Sequence, residues 1–430
     1  MHILSKSTYI KGLQCEKALY MQKKHPYLRD KLSIEQRAKF QRGTDVGVLA
    51  HEVFPGGIDM SPASPSQFPK KVQETWDNLS NPDIKVMYEA VFQYNDTLIM
   101  LDMLVRDGDK WLAIEVKSSL RLSDTYYNDA ALQYYVLKGC AVPLSDFRLM
   151  YLNGDYVKDG PIDVQQLFKM ESVMEYVIER EEFVAKNVER LKAVVALPHA
   201  PVVEIGEQCN NPYPCDFYGH CWKHVSEPNY YTIDYKTLYS LAPQPKPKSV
   251  AFLNLLMNRP AVPELDGMRP YDEMILAFAL QGEYENGIVN DMAADGCYVW
   301  DCFEDHSLWK ESIDLLIEKL SHYELIVCFT PQNLTTTLLH HEIIRNQSVG
   351  YKVFNLFDVL QQANFYHPAI KRGLTLQHLE TALFGEVNLF EHSRILLEAT
   401  SNDLISYQQA REDLVIENEV VAKTYQHLFK

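Results

Sequence analysis

In the segment LIMLDMLVRDGDKWLAIEVKSS, two carboxylates and an ammonium, Asp102, Glu115 and Lys117, fall on the same side of two short strands. Alternation puts Leu101, Met103, Val105, Leu112, Ile114 and Val116 on the opposite side. Two acids on one strand face can ligate a common divalent cation, and a lysine beside them can orient a water or offset charge developing on a phosphate. Taking Asp107-Gly108 as a two-residue turn pairs Arg106 with Asp109 and sets Asp102 opposite Ala113. Glu115 is then the diagonal neighbour of Asp102, about 7 Å away. By itself an E-x-K on a strand is most often solvated surface, so its company decides.

A second set of residues suits soft-metal chemistry. Cys15 stands alone near the start, and Cys209, Cys215 and Cys221 follow at wide, equal spacing in EQCNNPYPCDFYGHCW. Zinc knuckles usually bring thiols as C-x2-C pairs, whereas this spacing suits a larger inorganic cluster; zinc and unrelated buried cysteines remain the alternatives. Cys140, Cys297, Cys302 and Cys328 lie in apolar or mixed surroundings and read as packing residues.

The elements that must position these groups are legible in outline. In FQRGTDVGVLAHEVF, Gly43, Gly47 and His51 recur every four residues, which predicts one helical face that approaches a sheet closely and presents His51. A helical stripe through Met170, Val173, Val177, Val184, Val188 and Leu191 leads to the cysteine triplet. Prolines 243, 245 and 247 alternate in APQPKPK, which favours extended backbone and marks a boundary. Beyond it, apolar runs at Val250 to Leu256 and Tyr323 to Phe329 alternate with helical patterns such as Leu308 to Leu320, as in an α/β layer.

Charge is uneven. The net charge is -17, yet the first 43 residues carry ten Lys or Arg against three acids, leaving -24 on the rest. Screening confines such interactions to roughly 10 Å, so a basic end can meet a phosphate backbone on an acidic protein. The opening MHILSKSTYIKG has no apolar stretch of the secretory kind, and no run approaches the roughly 20 apolar residues of a membrane span. A cytoplasmic protein with no membrane partner is expected, its eight cysteines reduced.

Taken in order, a basic helix with one Cys, G-x3-G-x3-H, an Asp strand, E-x-K on the next strand, a helix with Gln133 and three further Cys resemble the RecB-type PD-(D/E)XK nucleases. More narrowly, residues 1 to about 225 are similar to the iron-sulfur exonucleases that include CRISPR-associated and helicase-partner enzymes. The resemblance implies a restriction-endonuclease-like mixed sheet flanked by helices, with Mg²⁺ or Mn²⁺ on His51, Asp102, Glu115 and the Val116 carbonyl. It implies catalytic roles for Asp102, Glu115, Lys117 and Gln133, and a [4Fe-4S] cluster on Cys15, Cys209, Cys215 and Cys221. An imidazole among the carboxylates would tilt preference toward manganese. The family's Tyr four residues after the Gln is Leu137 here, leaving Tyr134 or Tyr135 as substitutes, and Glu89 in MYEAVF fits as a supporting acid.

Residues 226–248 read as a linker, 249–390 as a second domain and 391–430 as a helical segment. The second domain resembles a DnaQ-like exonuclease of the RNase H type, found after a RecB-type domain in an uncharacterised bacterial family. That resemblance implies an Asp-x-Glu on the first strand, where Asn254 and Leu256 stand; the acid expected near Thr330 to Leu334 is missing, and Asp358 alone survives. A single carboxylate does not hold a two-metal site. The expected function is a DNA exonuclease preferring single-stranded ends, with a catalytically silent second domain that contacts substrate or a protein partner. The alternatives are a non-catalytic nucleic-acid scaffold and a subunit that needs a helicase, since the chain has no G-x4-G-K-[ST] loop.

Overall fold

A computed structural model describes residues 2–32, 34–225, 230–284, 287–288, 297–330, 353–385 and 404–429. The chain divides into two compact units, one comprising Met1–Val225 with Pro260–Asp272, the other Ser226–Arg259 with Glu273–Lys430. Residues 226–248, expected as linker, thus fall with the second unit, where Tyr235–Ser240 is helical and capped by Asp234. Both units are mixed α/β layers.

The first unit opens with β1 (Leu4–Ser5), α1 (Lys6–Gln14) and α2 (Glu16–Lys24). Ser5 and Thr8 form a reciprocal capping box that fixes the start of α1. After α3 (Ile34–Ala50), β2 (Ile58–Asp59) and α4 (Phe68–Ser80) come the central strands β3 (Val86–Tyr94), β4 (Thr97–Asp107) and β5 (Lys110–Lys117). Helix α5 (Asp124–Gly139) crosses to β6 (Leu144–Leu152), which runs parallel to β5. A short helix α6 (Val164–Leu167), an edge strand β7 (Phe168–Ser172), and helices α7 (Met174–Glu179) and α8 (Glu181–Ala196) follow. The sheet order is β2-β3-β4-β5-β6-β7, with β1 paired to the start of β4.

One apolar core, with Leu104, Ala113, Leu132 and Val188, lies on the α5 and α8 side of the sheet; another, with Val46, Ala50, Met103 and Ile114, lies on the α3 side. The expected long helix through Met170 to Leu191 is three elements, because Met170 pairs with Met150 on the sheet edge and α7 ends at Arg180. The glycine face of α3 makes no close approach: a Cβ on Gly47 would meet nothing within 4 Å, and on Gly43 only the Ser118 hydroxyl at 3.8 Å. Helix α3 packs instead through Val46 and Ala50, since burial of methyl groups rather than their absence holds it down.

The second unit has strands β8 (Ser249–Asn258), β9 (Met274–Tyr284), β10 (Gly287–Ile288) and β11 (Cys297–Asp301), then helix α9 (Trp309–Leu320), β12 (Leu325–Cys328) and β13 (Val353–Asn355). Among the described residues the sheet order is β10-β9-β8-β12-β13, with β11 also on β9. β8, β12 and β13 run parallel, while β9 is antiparallel to β8. β8 is covered on both faces, which explains its continuous apolar run. Helix Leu404–Phe429 packs on it, with Val421 and Tyr425 joining Phe252 and Val327 in one core.

Candidate active site

The β4–β5 turn lies one residue later than the sequence suggests. Asp107 pairs with Lys110, so Gly108 and Asp109 form the loop, with Gly108 at φ +61. Gly108 thereby takes the first loop position, which a type II′ turn reserves for glycine. The shift moves Asp102 from Ala113 to a position directly opposite Glu115. The ladder ends at Met103 and Ile114, and beyond it the Asp102 carboxylate accepts the Val116 amide at 2.6 Å.

Strict alternation also fails here. Leu101 and Met103 pack in different cores, and the break coincides with Glu89, which lies between the Tyr88–Met103 and Ala90–Leu101 pairs at φ +52. A left-handed backbone at a non-glycine residue costs of order 1–3 kcal/mol and persists only where its surroundings impose it. Here it brings a third acid across from Asp102.

Glu115 is 1% exposed and is the hub of the site. Its Oε1 accepts from Lys117 Nζ at 2.7 Å and from Lys6 Nζ at 2.5 Å, while Oε2 accepts from Gln133 Nε2 at 2.8 Å. Lys117 also donates to Asp129 at 2.8 Å and lies 5.0 Å from the centre of the Tyr126 ring. The E-x-K motif is therefore buried machinery and not solvated surface. Burial opposes ionisation of Glu115, yet the ammoniums of Lys117 and Lys6 override it and hold the carboxyl down at about 2. At Asp102 the same ammoniums do not prevail: burial first, then the Glu115 charge, push it up to about 8 against Lys6 and Lys117. Glu89 is raised by burial, with Glu115 adding to the effect against Lys6. Both lysines are raised, burial opposing and the surrounding acids prevailing.

An acid pair in direct opposition, one member short of positive charge, is a donor set that a divalent cation would complete. His51 lies in the one-turn helix that follows α3. Its ring stacks on Tyr88 at 3.9 Å, and burial lowers its pKa against the pull of Asp59. Of the two candidate tyrosines, Tyr135 accepts from Asn95 and packs on Tyr94, and Tyr134 is buried in the core on the α5 side. Lys6, Asp129 and Tyr126 were not evident from the motifs. Asp129 and Tyr126 had a signal, since they precede Gln133 by four and seven residues on one face of α5.

The four cysteines meet in one cavity lined also by Ala18, Phe217 and Tyr218. Cys15 joins α1 to α2, and the Cys215 amide donates to the Cys209 carbonyl at 2.8 Å. Burial, with the neighbouring Cys15, Cys221 and Cys209, pushes the Cys215 thiol up to about 11, and burial raises Cys221 as well. Among the described residues, no three His, Cys, Asp or Glu side chains are grouped as a single metal ion requires.

In the second unit Asn254 Nδ2 donates to Glu417 Oε2 at 2.6 Å, and Asn355 Nδ2 to Asp358 Oδ2 at 2.9 Å. Leu256 is a core residue, 3% exposed. Asp358 is thus not the sole acid: Glu417 and Asp413, on the last helix, are buried as well. Positions 331–334 of the expected second acidic segment lie outside the described residues. No helix among the described residues is long and apolar enough to cross a membrane.

No protein-family model matches the chain, and no curated protein matches it. Among solved structures, one described as "Crystal structure of SSO0001" is similar over 46% of this chain and 87% of its own, at 10% identity and a TM-score of 0.17, which is too low to carry an argument.

Proposed function

We propose that the protein is a divalent-metal-dependent nuclease, a DNA exonuclease acting on single-stranded ends, with its chemistry in the first unit. The observation that carries this reading is the convergence of Asp102, Glu115, Lys117 and Gln133 on one buried point. The order β3-β4-β5-β6, with α5 joining the parallel β5 and β6, agrees with a PD-(D/E)XK core. A divalent ion on Asp102 and Glu115, with the Val116 carbonyl beside them, supplies a water of lowered pKa and polarises the phosphoryl oxygen. Gln133 holds Glu115 in orientation, and Lys117, steadied by Asp129, offsets charge on the phosphate. His51, with its ring stacked on Tyr88, would add an imidazole to the donor set.

The four cysteines suit a [4Fe-4S] cluster better than one zinc ion, because they surround a cavity. Such a cluster cross-links the junction of α1 and α2 to residues 209–221. In the second unit the strand order β11-β9-β8-β12-β13 supports an RNase H-like reading. The Asn254–Glu417 pair supports catalytic silence there, since an amide in the central position is no ligand for a two-metal site.

The test is degradation of end-labelled linear single-stranded DNA by anaerobically purified protein with Mg²⁺ or Mn²⁺. Products released from one end, absent in Lys117→Ala, are expected. A wild-type protein as inert as the variant at saturating metal overturns the reading, and a circular strand cut as fast as a linear one removes the requirement for an end.

A further inference from the structure

Glu115 Oε1 carries two ammoniums, and they are not equivalent. Lys117 is 12% exposed, shares itself with Asp129 and packs against Tyr126. Lys6 is 29% exposed and has Glu115 as its ion-pair partner. A divalent cation approaching Oε1 needs one ammonium to give way, and the one with fewer restraints and more solvent access yields first. The base of its side chain does not move with it. Helix α1 is fixed at its start by the Ser5–Thr8 box, and further along by the Lys11–Asp216 ion pair. Its last residue, Gln14, donates to the Gln208 carbonyl at 2.8 Å and the Tyr213 carbonyl at 2.7 Å, beside the cysteine cavity.

We propose that Lys6 is the resident counter-ion of Glu115, a positioning residue whose ammonium a divalent cation displaces and which then reaches the phosphodiester at the rim of the site. This rests on the metal-dependent reading of Asp102 and Glu115. The counter-ion keeps Glu115 ionised and oriented before metal arrives, at the cost of competing with it. Once displaced, a flexible ammonium on a fixed helix becomes a ligand for an anionic backbone.

The experiment is a Mn²⁺ titration without nucleic acid on wild type, Lys6→Met and Lys6→Arg. Removing the competitor should tighten Mn²⁺ binding in Lys6→Met by about two- to five-fold, the scale of a partly exposed ion pair. Lys6→Arg should return it toward wild type. At saturating Mn²⁺, Lys6→Met should degrade linear single-stranded DNA with a raised KM and a smaller change in kcat. Unchanged or weaker Mn²⁺ binding in Lys6→Met overturns the proposal, as does the lack of Mn²⁺ binding by all three proteins. Tighter binding in a protein that cleaves nothing leaves the counter-ion role standing and sinks the nuclease reading alone. Should Lys6→Met not fold, acylation of wild-type amines read by mass spectrometry decides: added Mn²⁺ should raise labelling of Lys6, and no increase overturns the displacement.

Discussion

Each unit centres a buried polar pair on its sheet, and the pairs differ by one functional group. Asp102 stands opposite Glu115, whereas Asn254 donates to Glu417 at 2.6 Å. An amide donor meets a carboxylate's hydrogen-bonding need without adding a like charge. Two carboxylates repel, and the first unit answers with Lys6 and Lys117 on Glu115 and nothing comparable on Asp102. The first pair sets two carboxylates against shared ammoniums; the second sets one carboxylate against an amide donor. Burial alone therefore does not mark a metal site, while burial with uncompensated charge does.

The comparison is broken most directly at Lys117. Lys117→Ala should lower metal-dependent degradation by at least about a thousand-fold, because a charge aimed at a developing oxyanion in a buried site has no substitute. Degradation surviving in that variant would relocate the activity, with the second unit the first suspect. Asn254→Asp tests the other side by replacing the amide donor with a second carboxylate beside Glu417. It should destabilise the protein by about 2–4 kcal/mol, the scale of an uncompensated buried charge, without adding nuclease activity. Chemical denaturation at neutral pH reads the first effect; an unchanged midpoint would mean that the second pair tolerates charge as the first does. Gln133→Ala sharpens the picture within the first unit. It leaves Glu115 Oε2 unpaired and should weaken Mn²⁺ binding about ten-fold, as loss of an orienting partner does, with iron content unchanged.

The sequence revealed the site where local periods determine it. Glu115 and Lys117 follow from the E-x-K spacing on their strand, Asp102 from the acid on the strand before it, and Gln133 from its helix. Lys6 carried no local signal, because its contact with Glu115 spans 109 residues. Glu417 was hidden for the same reason, reaching Asn254 across 163 residues. The turn register was ambiguous because Gly108 serves either position of a two-residue loop, and the choice decides whether Asp102 is diagonal to Glu115 or faces it. The break in alternation depends on Glu89 adopting a left-handed backbone, which glutamate does not advertise. The α/β character of both units needed only the apolar runs, since burial drives them irrespective of register.

The smallest predicted effect isolates the uncompensated acid itself. With its folded value raised to about 8, above that of the unfolded chain, Asp102 favours its neutral form in the fold. Its contribution to stability is full below the unfolded carboxylate range and is lost as pH rises through about 8. Metal-free protein should therefore lose stability between mildly acidic pH and about 8 more steeply than Asp102→Asn, which cannot ionise there. Glu115 cannot produce this trend: its value is depressed to about 2, so its stabilising share is lost only in strong acid. Thermal melts of both proteins across that range, with and without Mn²⁺, separate the cases. Parallel curves for wild type and Asp102→Asn without metal would mean that the lysines already cover both carboxylates, and the contrast with the Asn254–Glu417 pair would disappear. Divergent curves that Mn²⁺ brings back together would identify the missing charge as one that a divalent ion supplies.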